Sequence, residues 1–311
     1  MLKNRPLMML LTGVVLALVL WGLVSVVQTN ETPSTSVGDV EANTINDEYM
    51  ISPASVLSIE QFGARFVLEG TGVAGAGLSL LHGERVLGTT KLNSAGEWTF
   101  SFTQTVLPDV MELALLMTTP DGHQVRSDQS LLLIKGLEVE FEDIPVEMDQ
   151  TLVPAKALIL LSAPGAGSRV LQTLYEDLPG QDGFILEAID YDNSGGVIFS
   201  GLSLRQGKVT IYANGNPVGE SRVDTTGRWS LIFGNIMPMG AYDIGVELVS
   251  DTGQNPIALT LPFERMAPMF ETENSPKILV QRLDDRIQIA RALYGGGYQF
   301  TVVYAPSVFL P

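Results

Sequence analysis

Three hydrophobic patterns divide the chain. The first is an uncharged run, Leu7 to Val27, whose 21 residues at helical rise match the roughly 30 Å hydrocarbon core of a bilayer. It predicts a transmembrane helix over residues 7–28. Lys3 and Arg5 precede the run, and the first charges after it are Glu31, Asp39, Glu41, Asp47 and Glu48. That asymmetry puts residues 1–6 in the cytoplasm and the bulk of the chain outside. A cleaved signal peptide is the rival reading. Against it, the run exceeds the ~7–15 apolar residues of a signal sequence, and no A-x-A-like site follows. Residues 29–55, rich in Ser, Thr, Asn and acids, read as a flexible linker.

The second pattern is alternation, and it repeats. Residues 67–102 align with residues 198–233 at a constant offset of 131, without a gap. Five pairs are identical: Gly70 with Gly201, Gly88 with Gly219, Gly96 with Gly227, Trp98 with Trp229, and Phe102 with Phe233. Trp98-Phe100-Phe102 and Trp229-Leu231-Phe233 alternate as half-buried strands do. Leu78 and Leu80 match Val209 and Ile211 on a second strand. Asn214-Gly215 predicts a type I′ hairpin, which needs positive φ at both central residues, and His82-Gly83 occupies nearly the same place. Strands at such short spacing predict a mainly β protein with two tandem Ig-like β-sandwiches, residues 56–135 and 183–265. Trp98 and Trp229 belong in their cores. Between the copies, residues 136–182 form an inter-domain strand and linker. Leu137-Val139-Phe141 alternates there with Glu138-Glu140-Glu142 as an edge strand. Residues 157–161 make a short apolar strand, and the loop from Ala163 to Ser168 marks the boundary.

The third pattern occupies residues 277–311. Residues 277–281 read as a strand and residues 284–294 as an amphipathic helix with Ile287, Ala290 and Leu293 on one side. Gly295, Gly296 and Gly297 stop it. Residues 298–304 suggest a second short helix and residues 307–310 a last strand, a minimal β-α-α-β unit.

Charge and composition narrow the function. The formal charge is -17, and there are two His and no Cys. Thiol chemistry, disulfides and Cys-ligated metals are therefore excluded, and an acidic chain without a basic patch argues against a nucleic-acid partner. Gly70-Thr71-Gly72-Val73-Ala74-Gly75 fits G-x-G-x-x-G, but a dinucleotide site requires a helix next, and strand follows. The turn beginning Asp190-Tyr191-Asp192-Asn193-Ser194-Gly195 resembles the start of a calcium loop, yet its twelfth position is Gly201 instead of Glu, which favours a plain Asx turn. His82 and His123 sit in turns without triad partners, and no G-x-S-x-G, H-E-x-x-H or S-x-x-K pattern occurs. No catalytic residue, cofactor or metal is expected.

The whole arrangement resembles bacterial envelope proteins that carry an N-terminal membrane anchor, Ig-like repeats and a C-terminal LysM domain. The resemblance rests on Gly207-Lys208-Val209-Thr210-Ile211-Tyr212-Ala213-Asn214-Gly215 followed by Gly219, Asp224, Gly227 and Trp229. It rests also on Ala188-Ile189-Asp190-Tyr191-Asp192 and on Ile289-Ala290-Arg291-Ala292-Leu293-Tyr294-Gly295. It implies an inner-membrane protein with its bulk in the periplasm, and a LysM-like segment, here shortened and degenerate, that binds peptidoglycan glycan between two loops. By position the glycan contacts would be Arg282, Leu283, Asp284 and Asp285, facing Ala305, Pro306 and Ser307. The chain departs from the family at both loops. The alternative is a periplasmic protein-interaction scaffold acting through the sandwiches, with the C-terminal segment purely structural.

Overall fold

The structure, a computed structural model, describes residues 51–136, 156–174, 180–192, 194–234, 236–266, 277–293 and 297–305. The expected transmembrane helix 7–28, most of the linker, the edge strand 137–141 and the last strand 307–310 lie outside them. Among the described residues there is no helix long and apolar enough to cross a membrane.

The first repeat folds as seven strands: β1 (Ser55–Phe62), β2 (Arg65–Thr71), β3 (Gly77–His82), β4 (Arg85–Lys91), β5 (Glu97–Thr103), β6 (Val110–Thr118) and β7 (Gln124–Ile134). They pair antiparallel as a three-stranded sheet, β1-β2-β5, and a larger sheet that begins β4-β3-β6-β7. Alternation decides which side chains face inward. Along β6, Met111, Leu113, Leu115 and Met117 are buried and the residues between them are not. They meet Phe66, Leu68 and Trp98 from the opposite sheet in one core, which makes the unit a sandwich. The larger sheet then gains β8 (Leu158–Ser162) and β9 (Arg169–Gln172) beyond β7. The apolar stretch 157–161 is thus a strand, as its sequence suggests, and the Ala163–Ser168 loop is the turn of the β8–β9 hairpin.

The second repeat builds the same unit after the two-residue β10 (Gly180–Gln181), from β11 (Phe184–Asp192), β12 (Val197–Ser203), β13 (Gly207–Ala213), β14 (Asn216–Arg222), β15 (Arg228–Phe233), β16 (Gly240–Ser250) and β17 (Ile257–Arg265). Here β11-β12-β15 faces β14-β13-β16-β17. The repeated residues do the same work in both copies. A Cβ on Gly70 would lie 2.5 Å from the Trp98 ring and 2.0 Å from the Ser55 carbonyl oxygen, and on Gly201 it would lie 2.6 Å from Trp229 and 2.0 Å from the Ile185 oxygen. Each glycine is thus the floor of an indole slot. The indole nitrogens donate to Thr71 O at 3.2 Å and to Leu202 O at 3.3 Å. Asn93 and Asp224 each accept two backbone amides across the turn into the Trp strand. Asn214 and Gly215 both have positive φ, 49° and 77°, as the type I′ turn demands.

The C-terminal segment departs from expectation. In place of a β-α-α-β unit, three antiparallel strands follow: β18 (Ile278–Arg282), β19 (Arg286–Ala292) and β20 (Tyr298–Tyr304). The helix expected over 284–294 is a strand, and so is the short helix expected over 298–304. The reason is burial on both faces. Ile287 and Ile289 point to one side, Gln288 and Ala290 to the other, and all are covered or half-covered. A strand covered on both faces need not keep a strict polar–apolar alternation, and over so short a run Ile287, Ala290 and Leu293 imitate a helix period. No LysM-like α/β fold exists among the described residues. Instead β20 pairs with β11, extending the second repeat's smaller sheet to β15-β12-β11-β20-β19-β18, with β10 also on β11.

That extension joins the two sandwiches. Leu132, Ile134, Leu158 and Leu160, on the outer face of the first repeat's large sheet, form a third core with Ile287, Ile289 and Val303 on the outer face of the extended sheet. Four sheets are therefore stacked over three hydrophobic cores.

Candidate functional site

Polar residues cross the same joint in an unbroken line. Arg291 on β19 reaches Glu112 on β6 at 3.2 Å, Ser162 on β8 at 3.1 Å and Gln299 on β20 at 2.7 Å. Gln299 Nε2 donates to Asp190 Oδ1 on β11 at 3.3 Å. Asp190 is 1% exposed and also accepts from the Ser168 amide at 2.6 Å, the Ser168 hydroxyl at 2.7 Å and the Thr301 hydroxyl at 2.5 Å. Ser168 comes from the β8–β9 turn, so Asp190 pins a hairpin of the first sandwich into the second. Gly167 fits there because a Cβ would lie 2.7 Å from the Ser200 side chain. A second pinned charge is Glu187, buried beside Arg228 with Arg169 nearby. Removing one partner from so buried a pair leaves an uncompensated charge.

Burial pushes the Asp190 carboxyl above the ordinary carboxylate range, with the donated hydrogen bonds pulling the other way. Burial raises Glu187 too, opposed by Arg228 and Arg169. An acid whose folded-state pKa lies above its unfolded value stabilises the fold most at low pH. That contribution is lost as pH rises from the ordinary range toward the raised value. The exposed acids repel one another more over the same window, so a variant is needed to isolate the effect. Asp190→Asn keeps the shape and removes the titration. Its melting temperature should fall less steeply than the wild type's between about pH 4 and pH 8, while its stability at the acidic end drops by about 1–3 kcal/mol. Parallel slopes would remove Asp190 from the account.

The sequence-derived glycan contacts come together only in part. Arg282 ends β18, and its guanidinium donates to the Lys135 carbonyl, which turns it toward the first sandwich. Leu283, Asp284 and Asp285 make the β18–β19 turn, closed by Leu283 N donating to Arg286 O at 2.9 Å. Ala305 N donates to Asp285 O at 2.8 Å, so these two loops do meet. Pro306 and Ser307 lie outside the described residues. The other motifs resolve as turns. Asp192 Oδ1 accepts the amides of Ser194, Gly195 and Gly196 at 2.9–3.0 Å, an Asx turn occupied by its own backbone. The G-x-G-x-x-G stretch ends β2 and turns into β3, with Gly72 N donating to Gly96 O at 2.8 Å. Among the described residues no group of three His, Cys, Asp or Glu is placed to hold a metal ion. The buried line itself escaped sequence reading, because its members are single polar letters within strands.

By strand order the described chain is a pair of seven-stranded β-sandwiches of the immunoglobulin and fibronectin type III class, each enlarged at one sheet edge. No family model matches the sequence, and no curated protein matches it. Among solved structures, the central fibronectin-III array of RIM-binding protein is similar at 11% identity, over 67% of this chain and 97% of that chain, with a TM-score of 0.21. So loose a superposition carries no argument, and the class rests on the strand pairing.

Proposed function

We propose that this chain is a non-enzymatic scaffold, held in a bacterial inner membrane by residues 7–28, which binds envelope proteins through the edges and loops of its two fused sandwiches. The joint supports this reading. A third core and a buried hydrogen-bond line hold the two repeats together, so surfaces contributed by both copies keep a fixed spacing. A platform ordered in advance loses little conformational freedom when a partner docks. The peptidoglycan reading rests on a β-α-α-β unit whose loops hold the glycan, and strands run where its two helices would be. The anchor and the periplasmic address follow from the apolar run and its flanking charges, and they stand as part of the proposal.

Two readouts in cells and extracts test it. Photo-crosslinking side chains placed at the exposed Thr99 and Thr260 of the full chain should give discrete protein adducts. The detergent-solubilised chain should stay in solution when protein-free sacculi are pelleted. Pelleting with bare sacculi and no protein adducts would overturn the scaffold reading in favour of glycan binding.

A further inference from the structure

The two repeats differ on one face. In the second, the outer side of β11-β12-β15 is covered by the β8–β9 turn. Ser168 donates to Asp190 at 2.7 Å, Ser200 Oγ donates to Ser168 O at 2.8 Å, and a Cβ on Gly167 would lie 3.3 Å from Ile198. The first repeat has the same face on β1-β2-β5, and strand register gives the equivalent residues. Glu60, Val67 and Ser101 form one cross-strand row, as Asp190, Ile198 and Ile232 do. Ser58, Glu69 and Thr99 form the next, matching Ala188, Ser200 and Ser230. β1 and β11 also bulge at the same step, which puts Leu57 where the second repeat has Glu187.

Positions buried in one copy lie open in the other. Asp190 and Glu187 are each 1% exposed, whereas Glu60 is exposed and Leu57 is 55% exposed. Phe62, farther along the outer side of β1, is 61% exposed. Charge says what fits there. Glu60 and Glu69 make no hydrogen bond or ion pair among the described residues. Glu97 stands at the offset position of Arg228, held only by the neutral Asn93 amide at 3.0 Å. Against them Arg65 is the one base on these rows, and it donates to Ser101 Oγ at 3.5 Å. The chain's own segments carry the wrong sign for this face. Residues 29–50 contain five acids and residues 137–155 six, with no Lys or Arg in either, and a second copy brings a net charge of -17.

We propose that the outer face of β1-β2-β5 receives a basic β-hairpin turn of a protein partner, as the face of β11-β12-β15 receives the β8–β9 turn. Small residues of the incoming turn lie across Val67 and Ser101, its lysine or arginine reaches Glu60 and Glu69, and its flanks meet Leu57 and Phe62. Complementary charge steers such a partner to this side of the chain. This deepens the scaffold reading and rests on it.

The test uses the full chain in detergent with a backbone-cyclised β-hairpin peptide whose turn carries two arginines among alanine, glycine and serine, beside a counterpart with two glutamates. The arginine peptide should bind, more weakly as salt rises, and the glutamate peptide should not. Glu60→Gln and Glu69→Gln should each weaken binding roughly two- to five-fold at an unchanged melting temperature, and Phe62→Thr should weaken it as well. Glu264→Gln, which changes an exposed acid on β17 of the other sandwich, should leave binding as it was. Equal losses at Glu264 and Glu60 overturn the proposal, because the peptide then senses only the overall charge. Equal binding of both peptides, or none of either, overturns it too. So does a dimer in sedimentation that Phe62→Thr disperses, which assigns the face to a second copy. Binding that appears only after the acids of residues 29–50 or 137–155 are changed to amides also overturns it, because the chain's own segment then covers the face. Where the proposal fails, adducts persisting at Thr99 or Thr260 leave the scaffold standing, whereas their loss at both places removes both.

Discussion

A chain ending at Glu273 loses its second sandwich along with its last strands. Six large buried side chains leave with the cut, Ile287, Ile289, Phe300, Val302, Val303 and Tyr304, together with the smaller Ala305. Phe300, Val302 and Tyr304 belong to the second repeat's core, and Tyr304 also donates to Pro262 O at 2.9 Å. At roughly 1.5–3 kcal/mol each, their removal costs on the order of 10 kcal/mol, which rivals the whole stability of an ordinary domain. Thermal melts of residues 29–311 and residues 29–273 should therefore differ by the loss of a cooperative transition. A shortened chain that melts within a few degrees of the longer one would mean that β18–β20 are an appendage after all.

Trp98→Ala and Trp229→Ala should each cost about 3–5 kcal/mol, as emptied aromatic core sites do. The more discriminating change is on the other side of the slot. Gly70→Ala and Gly201→Ala place a methyl 2.5 Å and 2.6 Å from indole carbons and 2.0 Å from a carbonyl oxygen in both cases. Neither a rigid ring nor a sheet backbone can give way, so these conservative substitutions should rival the loss of the tryptophans. Gly234→Ala is the control, with nothing within 4 Å of the new methyl, and it should stay within about 0.5 kcal/mol of wild type. Matching losses at Gly70 and Gly201, measured by denaturant unfolding, would confirm that the repeat is structural. A mild effect at either would sink the slot argument.

What could be read from the letters follows from how each element is stabilised. The sandwiches announced themselves because Trp98, Gly70 and their counterparts recur at one offset, and because Asn214-Gly215 permits few conformations. Local chemistry fixes those elements. The C-terminal strands are fixed from outside, Ile287 and Ile289 by the first sandwich and Phe300 and Val302 by the second, so tertiary burial overrides a pattern that reads equally well as a helix. For the same reason the resemblance to LysM proteins, carried by the run Ile289-Ala290-Arg291-Ala292-Leu293, fell on residues that belong to a strand and its end. Asp190 shows the limit most clearly. Within a turn-like motif it resembles a calcium ligand, and only its contacts with Ser168, Gln299 and Thr301 identify it as a buried anchor between repeats.

Locked repeats also change what can be asked of this chain. Two tethered sandwiches would explore many separations, and a partner touching both would have to select one of them. Here a third core and the Glu112–Arg291–Gln299–Asp190 line set that separation in advance.

The most direct test is a distance distribution between the two sandwiches. The chain has no cysteine of its own, so Thr99→Cys on β5 and Thr260→Cys on β17, both exposed, accept spin labels at those two places alone. A single narrow distance by pulsed electron resonance, unchanged by moderate salt, is the expected result. A broad distribution, as from beads on a flexible string, would contradict the fused architecture and the scaffold proposal that rests on it.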